Sequence, residues 1–132
     1  MITGACLCGE VSFTFSEPLV GARYCHCENC RKFSGTSPAA WAMGNTGAMQ
    51  KHGDALVKRW NSGRGLRCFC SACGCPVWFE SLDFPDIVAV PLGTIDQGEV
   101  PPPEKHLWMD SKPDWCVVQD NLPKHPNYPG EE

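Results

Sequence analysis

Several features that mark other classes of protein are absent from this sequence of 132 residues. No apolar run approaches the ~18 residues that a membrane-spanning helix needs. The first six residues lack the charged region and apolar stretch of a secretory leader, so we expect a cytoplasmic protein. The net charge is −4 and the basic residues are scattered, which leaves no basic stripe for nucleic acid. We therefore expect a protein that binds neither membranes nor nucleic acid.

Helical periodicity is also scarce. No segment keeps an apolar period of 3.6 residues beyond about two turns, and Glu28–Phe33 predicts only one helical turn. The 12 prolines and 13 glycines instead favour short strands joined by turns. Alternation at Val11–Phe15 and the apolar run Ile87–Val90 are typical of such strands. We predict a single all-β domain over residues 1–118, followed by a Pro-rich tail, residues 119–132, that is extended or mobile.

Cysteine, by contrast, is abundant, with 10 residues. A reducing cytosol disfavours disulfides, and the clustered spacing favours a metal. A C-x-C pair in an extended strand presents two thiols to one side, and a C-x-x-C pair does the same around a turn. Zinc is the usual ion in sites made only of thiolates. Three parts of the chain carry these motifs: Cys6/Cys8, Cys25/Cys27/Cys30 and Cys70/Cys73.

The number of thiols predicts two different sites. The pairs Cys6/Cys8 and Cys70/Cys73 would together close a structural site with four cysteines. Cys25/Cys27/Cys30 would supply three ligands and leave the fourth position open, which is the layout of a catalytic zinc.

Spacing alone leaves other ligand combinations open. The run from Cys68 to Cys75 has four cysteines and could hold one ion by itself, or it could lend Cys68 or Cys75 to another cluster. The simpler interpretation is that Cys68, Cys75 and Cys116 are buried thiols without a ligand role.

Three stretches carry a resemblance to a known family: Gly4–Val11, Cys25–Lys32 and Phe69–Gly74. With Gly93–Asp96 and His106–Trp115, they make the chain from about residue 3 to residue 118 resemble the glutathione-dependent formaldehyde-activating enzymes. That family also includes the centromere protein V domain. Three cysteine motifs in the same order are specific, whereas one alone would be weak.

The resemblance implies a fold of several coiled antiparallel sheets, sometimes called a β-tent, stapled by zinc. It implies a structural zinc and a second, labile zinc held by catalytic cysteines. The ligands it implies are Cys6, Cys8, Cys70 and Cys73 for the first ion, and Cys25, Cys27 and Cys30 for the second. The named activity joins formaldehyde and glutathione into S-hydroxymethylglutathione and is classed with the carbon–sulfur lyases.

Three further residues are candidates for contact with the thiol substrate. Arg31 and Lys32 follow the open site and are placed to pair with glutathione carboxylates, although both could simply be solvated. His106 is a candidate through the resemblance alone. His26 lies between two ligands and should point away from the metal, which favours a packed histidine over a proton shuttle.

Two functions are therefore compared. The first is a zinc-dependent carbon–sulfur lyase-type enzyme that acts on a small thiol adduct. The alternative is a non-catalytic zinc-stabilised binding module or thiol carrier, because three thiolates around a +2 ion leave a net charge of −1 and a weak Lewis acid. The sequence leaves the thiol, the carbonyl partner and the oligomeric state open.

Overall fold

The computed structural model describes residues 1–129, which form eleven β-strands, one α-helix and four single-turn 3-10 helices. The helix, α1, spans Glu28–Ser34. The strands are β1 (Ile2–Ala5), β2 (Ser12–Phe15), β3 (Val20–Cys25), β4 (Ala39–Asn45), β5 (Met49–His52), β6 (Val57–Asn61), β7 (Gly65–Cys70), β8 (Pro76–Ser81), β9 (Ile87–Pro91), β10 (Ile95–Gln97) and β11 (His106–Leu107). The all-β prediction is confirmed. Within residues 1–129, no helix has the length and apolar character needed to cross a membrane.

The strands form two sheets. The smaller has four strands in the order β10-β1-β2-β5, and the larger has seven in the order β11-β3-β4-β9-β8-β7-β6. Neighbouring strands are antiparallel except β11 and β3, which run parallel. The predicted antiparallel sheets are therefore present, with one parallel pair at the edge that carries β11.

The main core lies between the two sheets. Phe13 and Phe15 alternate with polar residues on β2, so both rings leave the same face and are fully buried. Phe13 meets Trp78 of the larger sheet edge to face, with ring centroids 6.4 Å apart. Gly4 on β1 allows this approach, because a Cβ there would collide with the Phe13 ring. Burial of each such aromatic ring contributes about 1.5–3 kcal/mol, so this contact holds the sheets together.

Some elements differ from the sequence predictions. The short strands β1, β5 and β10 were not predicted, since three or four residues give too little alternation and depend on pairing with β2 or β1. The last strand is short, because β11 ends at Leu107. Trp108 has φ 60°, a left-handed conformation that ends the strand, and the 3-10 helix Met109–Ser111 follows.

The segment after residue 118 lies along β11. The His106 N–H donates to the Pro123 carbonyl at 2.8 Å, and the His125 N–H donates back to the His106 carbonyl at 2.9 Å. Farther along the segment, the Met109 N–H donates to the His125 carbonyl at 3.0 Å. Residues 119–129 are thus hydrogen bonded to the domain, while residues 130–132 of the predicted tail lie outside the described residues. The domain boundary at residue 118 stays a prediction.

Candidate metal centres

The first cysteine cluster is built from two turns that are distant in sequence. Cys6 directly follows β1, and Cys70 is the last residue of β7. The turn after Cys70 is closed by the Gly74 N–H, which donates to the Cys70 carbonyl at 2.7 Å. Gly74 has φ +77°, a conformation that favours glycine, so the turn can bring Cys73 back beside Cys70. The folded sheets then place the two turns side by side.

The sulfur positions of this cluster fit a tetrahedral zinc. The Sγ atoms of Cys6, Cys8, Cys70 and Cys73 all lie within 4.8 Å of one another. Cys8 Sγ is 3.6 Å from Cys6 Sγ and 3.8 Å from Cys70 Sγ. A tetrahedron with Zn–S bonds of about 2.3 Å has edges of about 3.8 Å. Since β1 and β7 belong to different sheets, a metal ion here would join them.

The second cluster is local and surrounds the start of α1. Strand β3 ends at Cys25, and Cys27 is the N-cap of the helix. The Sγ atom of Cys27 accepts a hydrogen bond from the Cys30 N–H at 3.3 Å. Gly35 ends the helix in a left-handed conformation. The sulfur atoms of Cys25, Cys27 and Cys30 lie within 4.8 Å of one another. This donor set fits a soft ion such as zinc and provides three ligands.

The pKa values of the thiols in this cluster are shifted in opposite directions. Hydrogen bonds from the Cys25 and Cys30 thiols lower the pKa of Cys27 to about 2, with further help from the Cys30 N–H and the Arg67 charge, against an opposing effect of burial. The same contacts with Cys27 and Cys30, together with burial, raise the pKa of Cys25. Cys27, at the N-terminus of α1, is therefore the thiol that carries negative charge most readily.

A buried arginine supports this cluster, and the sequence analysis missed it. Arg67 is only 8% exposed, and its Nη1 lies 3.6 Å from Cys30 Sγ. Its guanidinium lies over the ring of Phe33 at 5.6 Å and over the ring of Phe79 at 5.2 Å, measured to the ring centroids. No local signal marks it, because Arg67 alternates with Cys68 and Cys70 on β7 and its burial depends on packing against the residues of the helix and β8. Its positive charge offsets the net −1 expected for zinc with three thiolates.

Two buried histidines form a hydrogen-bonded chain beside this cluster. Asp120 Oδ2 lies 2.8 Å from His106 Nε2, and His106 Nδ1 lies 2.8 Å from His26 Nε2. A carboxylate can only accept, so His106 donates through Nε2, and with a neutral His106 ring its Nδ1 accepts from His26 Nε2–H. His26 Nδ1 is then left as an acceptor, facing the Ser37 hydroxyl at 3.4 Å and the Cys116 thiol at 4.0 Å. The segment after residue 118 thus fixes the tautomers of both rings.

His26 is fully buried, in agreement with the interpretation of a packed histidine. Burial is the main reason that its pKa is lowered to about 4, and the neighbouring His106 and Lys112 act in the same direction. The His26 ring is therefore neutral at physiological pH, as the tautomer assignment requires.

The structure places the three predicted substrate contacts in different surroundings. The Arg31 Nε is buried and has no hydrogen-bond partner among the described residues. Lys32 is 69% exposed and pairs with Glu28 at 3.5 Å, an i,i+4 surface contact of small energetic value. His106 is buried and both of its ring nitrogens bond to protein atoms. A role in substrate binding stays a prediction for all three.

The remaining cysteines lie outside both clusters. Neither Cys68 nor Cys75 belongs to a group of possible ligands within residues 1–129. Cys68 is fully buried, its thiol faces the Leu66 carbonyl at 3.6 Å, and burial raises its pKa to about 12. Cys116 is also buried. The structure thus agrees with the interpretation of these cysteines as non-ligand thiols.

The fold and the two clusters define an all-β protein with cysteine sites that could hold two metal ions. The family model for glutathione-dependent formaldehyde-activating enzymes matches residues 1–111, and the chain belongs to this family. A solved structure of a Rhodobacter sphaeroides protein is similar at 20% identity and a TM-score of 0.60, over 74% of this chain and 90% of that one. At that identity the likeness shows the fold alone. A search among curated proteins gives no match.

Proposed function

We propose that this protein is a zinc-dependent carbon–sulfur lyase-type enzyme that acts in the cytoplasm on a small thiol adduct such as S-hydroxymethylglutathione. The observation that carries the proposal is the pairing of three clustered thiols with the buried charge of Arg67. Three ligands leave a coordination position for a substrate, and the fixed cation reduces the negative charge that would repel a thiolate. The four-cysteine site takes the structural ion.

Each residue of the open site has a distinct part in this proposal. Cys25, Cys27 and Cys30 hold the labile ion, which when bound would keep a substrate thiol in its thiolate form. Arg67 holds the sulfur of Cys30 in place through its N–H group. Arg31 supplies a buried N–H without an acceptor, and a glutathione carboxylate is a suitable partner for a guanidinium.

Calorimetry tests the coordination of a thiol. Glutathione should bind the zinc-loaded protein and release a proton, because only the thiolate is a ligand. The released proton is measured by titration in buffers of different ionisation enthalpy. S-Methylglutathione is the control, since it keeps the carboxylates and cannot form a thiolate. Equal binding of both compounds without proton release would show that this site does not bind thiolates.

A rate measurement separates the enzyme from a thiol carrier. The zinc-loaded protein should accelerate formation of the glutathione–formaldehyde adduct, and Cys27→Ser should abolish that acceleration. Thiol binding without any acceleration would instead favour the carrier function.

A matched pair of substitutions tests the carboxylate contact. Arg31→Gln should weaken glutathione binding about tenfold, as expected for loss of a buried charge-assisted hydrogen bond. Lys32→Gln should change it less than twofold, because Lys32 is exposed and already pairs with Glu28. Equal effects would exclude a specific role for Arg31.

A further inference from the structure

The last described part of the chain lies beyond the region that the family model matches. That region ends at residue 111, whereas residues 119–129 are hydrogen bonded to β11 and to the turn that follows it. We refer to residues 119–129 as the C-terminal segment. It has no part in the proposed chemistry, yet its contacts reach the residue that lies between two of the three clustered cysteines.

That residue is His26, which separates Cys25 from Cys27 and is held at two points. Its backbone N–H donates to the Leu107 carbonyl at 3.0 Å, and its ring is bonded to the His106 ring at 2.8 Å. The ring is fully buried, so water does not compete for this bond. Each residue has only two soft backbone dihedrals, so fixing the backbone and the ring of His26 restricts where the neighbouring sulfur atoms can lie.

Both of these bonds come from β11, a strand that needs support. It has two residues and lies at the edge of the larger sheet. A strand with so few backbone bonds opens more easily than the interior of a sheet. The C-terminal segment covers its outer edge, because the His106 N–H donates to the Pro123 carbonyl at 2.8 Å and the His106 carbonyl accepts the His125 N–H at 2.9 Å. The hold of β11 on His26 therefore depends on this segment.

Asp120 adds a connection through side chains. Its Oδ2 accepts from His106 Nε2 at 2.8 Å, and its Oδ1 accepts the Leu122 N–H at 3.1 Å. The backbone of the C-terminal segment thus orients the carboxylate that holds the His106 ring. With this acceptor in place, His106 presents a bare Nδ1 to His26. Without it, His106 can carry its proton on either nitrogen, so the pair has two arrangements and the His26 ring is held less firmly.

We propose that Asp120 is a positioning residue for the labile metal site, and that it acts through His106 and His26 on the sulfur atoms of Cys25 and Cys27. Its effect is to slow the loss of the ion. This role rests on the labile ion of the proposed function. It places a determinant of metal retention outside the region that the family model matches.

Zinc release into a chromophoric chelator tests this role without any thiol or aldehyde. Release from the full chain loaded with two ions should have two phases, the faster one from the three-cysteine site. Asp120→Ala should speed the faster phase by about threefold to tenfold, less than the ~10–100-fold loss of affinity typical when a partner of the ligand itself is removed. Asp120→Asn keeps an oxygen acceptor for His106, so its rate should stay within about twofold of the unmodified protein.

Two controls separate positioning from loss of charge and from loss of stability. Asp114→Ala removes another exposed carboxylate with the same change in net charge, and it should leave both phases unchanged. The slower phase is the internal control, because the four-cysteine site is a separate cluster. A general loss of stability would speed release from both sites. Equal rates for Asp120→Ala and the unmodified protein, or acceleration of both phases, would overturn the proposal.

NMR follows the route from Asp120 to the cluster. The His26 Nε2–H is buried in its bond to His106, so its exchange with solvent should be slow in the unmodified protein and in Asp120→Asn, and faster in Asp120→Ala. Faster zinc release with unchanged exchange at His26 would contradict transmission through the rings. Absence of a fast phase in the unmodified protein would refute both the labile site and this role, whereas an equal fast phase in all variants would refute only the role of Asp120.

Discussion

The two cysteine clusters use the same ligand type in opposite ways. The first joins turns that are 62 residues apart in the chain, and it connects the two sheets. The second lies within six residues, at the junction of β3 and α1, and connects no distant parts of the chain. A metal that ties distant segments stabilises the fold, whereas a local cluster with a missing ligand leaves the ion available to a substrate. The difference lies in topology and ligand number rather than in the chemistry of the thiol.

The largest expected effect comes from removing one ligand of each site. Cys70→Ser should unfold the domain or greatly destabilise it, because structural zinc contributes on the order of 10 kcal/mol in small domains. Cys27→Ser should lose the labile ion and shift the melting temperature by only a few degrees. Thermal unfolding and zinc analysis before and after mild chelation measure both changes.

Cys68→Ser is the control for the first effect. Cys68 is buried on the same strand as Cys70 but lies outside both clusters, so its loss should be unfavourable by only about 1–3 kcal/mol. Equal destabilisation by Cys70→Ser and Cys27→Ser would remove the distinction between the two sites.

Arg67 should produce the next largest effect, and only at the three-cysteine site. Arg67→Met removes the charge and the N–H beside Cys30, so zinc affinity at that site should fall by about 10–100-fold. Arg67→Lys keeps the charge but loses the planar donor. Its zinc affinity at the three-cysteine site should therefore lie between those of Arg67→Met and the unmodified protein. Competition with a chromophoric chelator measures each affinity. A change in the four-cysteine site instead would contradict the assignment.

A smaller effect is expected for the hydrogen bonds to Glu80, which also connect the two sheets. Glu80 on β8 accepts hydrogen bonds from Lys51 of the smaller sheet at 3.1 Å, from Arg59 at 3.1 Å and from Trp78 at 2.9 Å. Burial by itself would raise the pKa of Glu80, but these donors lower it from 4.5 to about 2. The stability from this carboxylate is therefore present above about pH 4.5 and is lost as the pH falls toward 2.

Glu80→Gln tests that contribution. The substitution should lower the free energy of unfolding by about 1–3 kcal/mol at pH 7. The difference in free energy of unfolding between the two proteins should vanish as the pH falls from about 4.5 to 2. Loss of metal from the thiolates in this range affects both proteins equally, so it does not change that difference. Denaturant titrations across this range provide the measurement. A difference that stays constant with pH would show that the Glu80 charge is not responsible.

The smallest expected effect is on the histidine chain. Both rings should carry their proton on Nε2, which NMR of the ring nitrogens reports directly. Asp120→Asn still offers an oxygen acceptor and should preserve both tautomers, whereas Asp120→Ala should allow His106 to change tautomer. An Nδ1–H on either ring of the unmodified protein would contradict the chain of donors described above.

Much of the fold was predictable because its signals are local. Alternation on β2 and the apolar run of β9 predicted strands that the structure contains. The C-x-C and C-x-x-C spacings likewise predicted thiol clusters, since backbone geometry over a few residues fixes where these side chains point. Edge strands such as β5 gave no such signal, because their few residues are held by pairing with another strand.

The sequence by itself determined the class of fold, the cysteine motifs and the family, since each depends on residues that are close together in the chain. Tertiary structure decided which clusters combine, because Cys6 and Cys70 meet only when two sheets pack. It also decided that Arg67 lies against Cys30 and that Asp120 orients His106. These contacts join residues far apart in sequence, and their positions follow from strand order and packing, which no local pattern specifies.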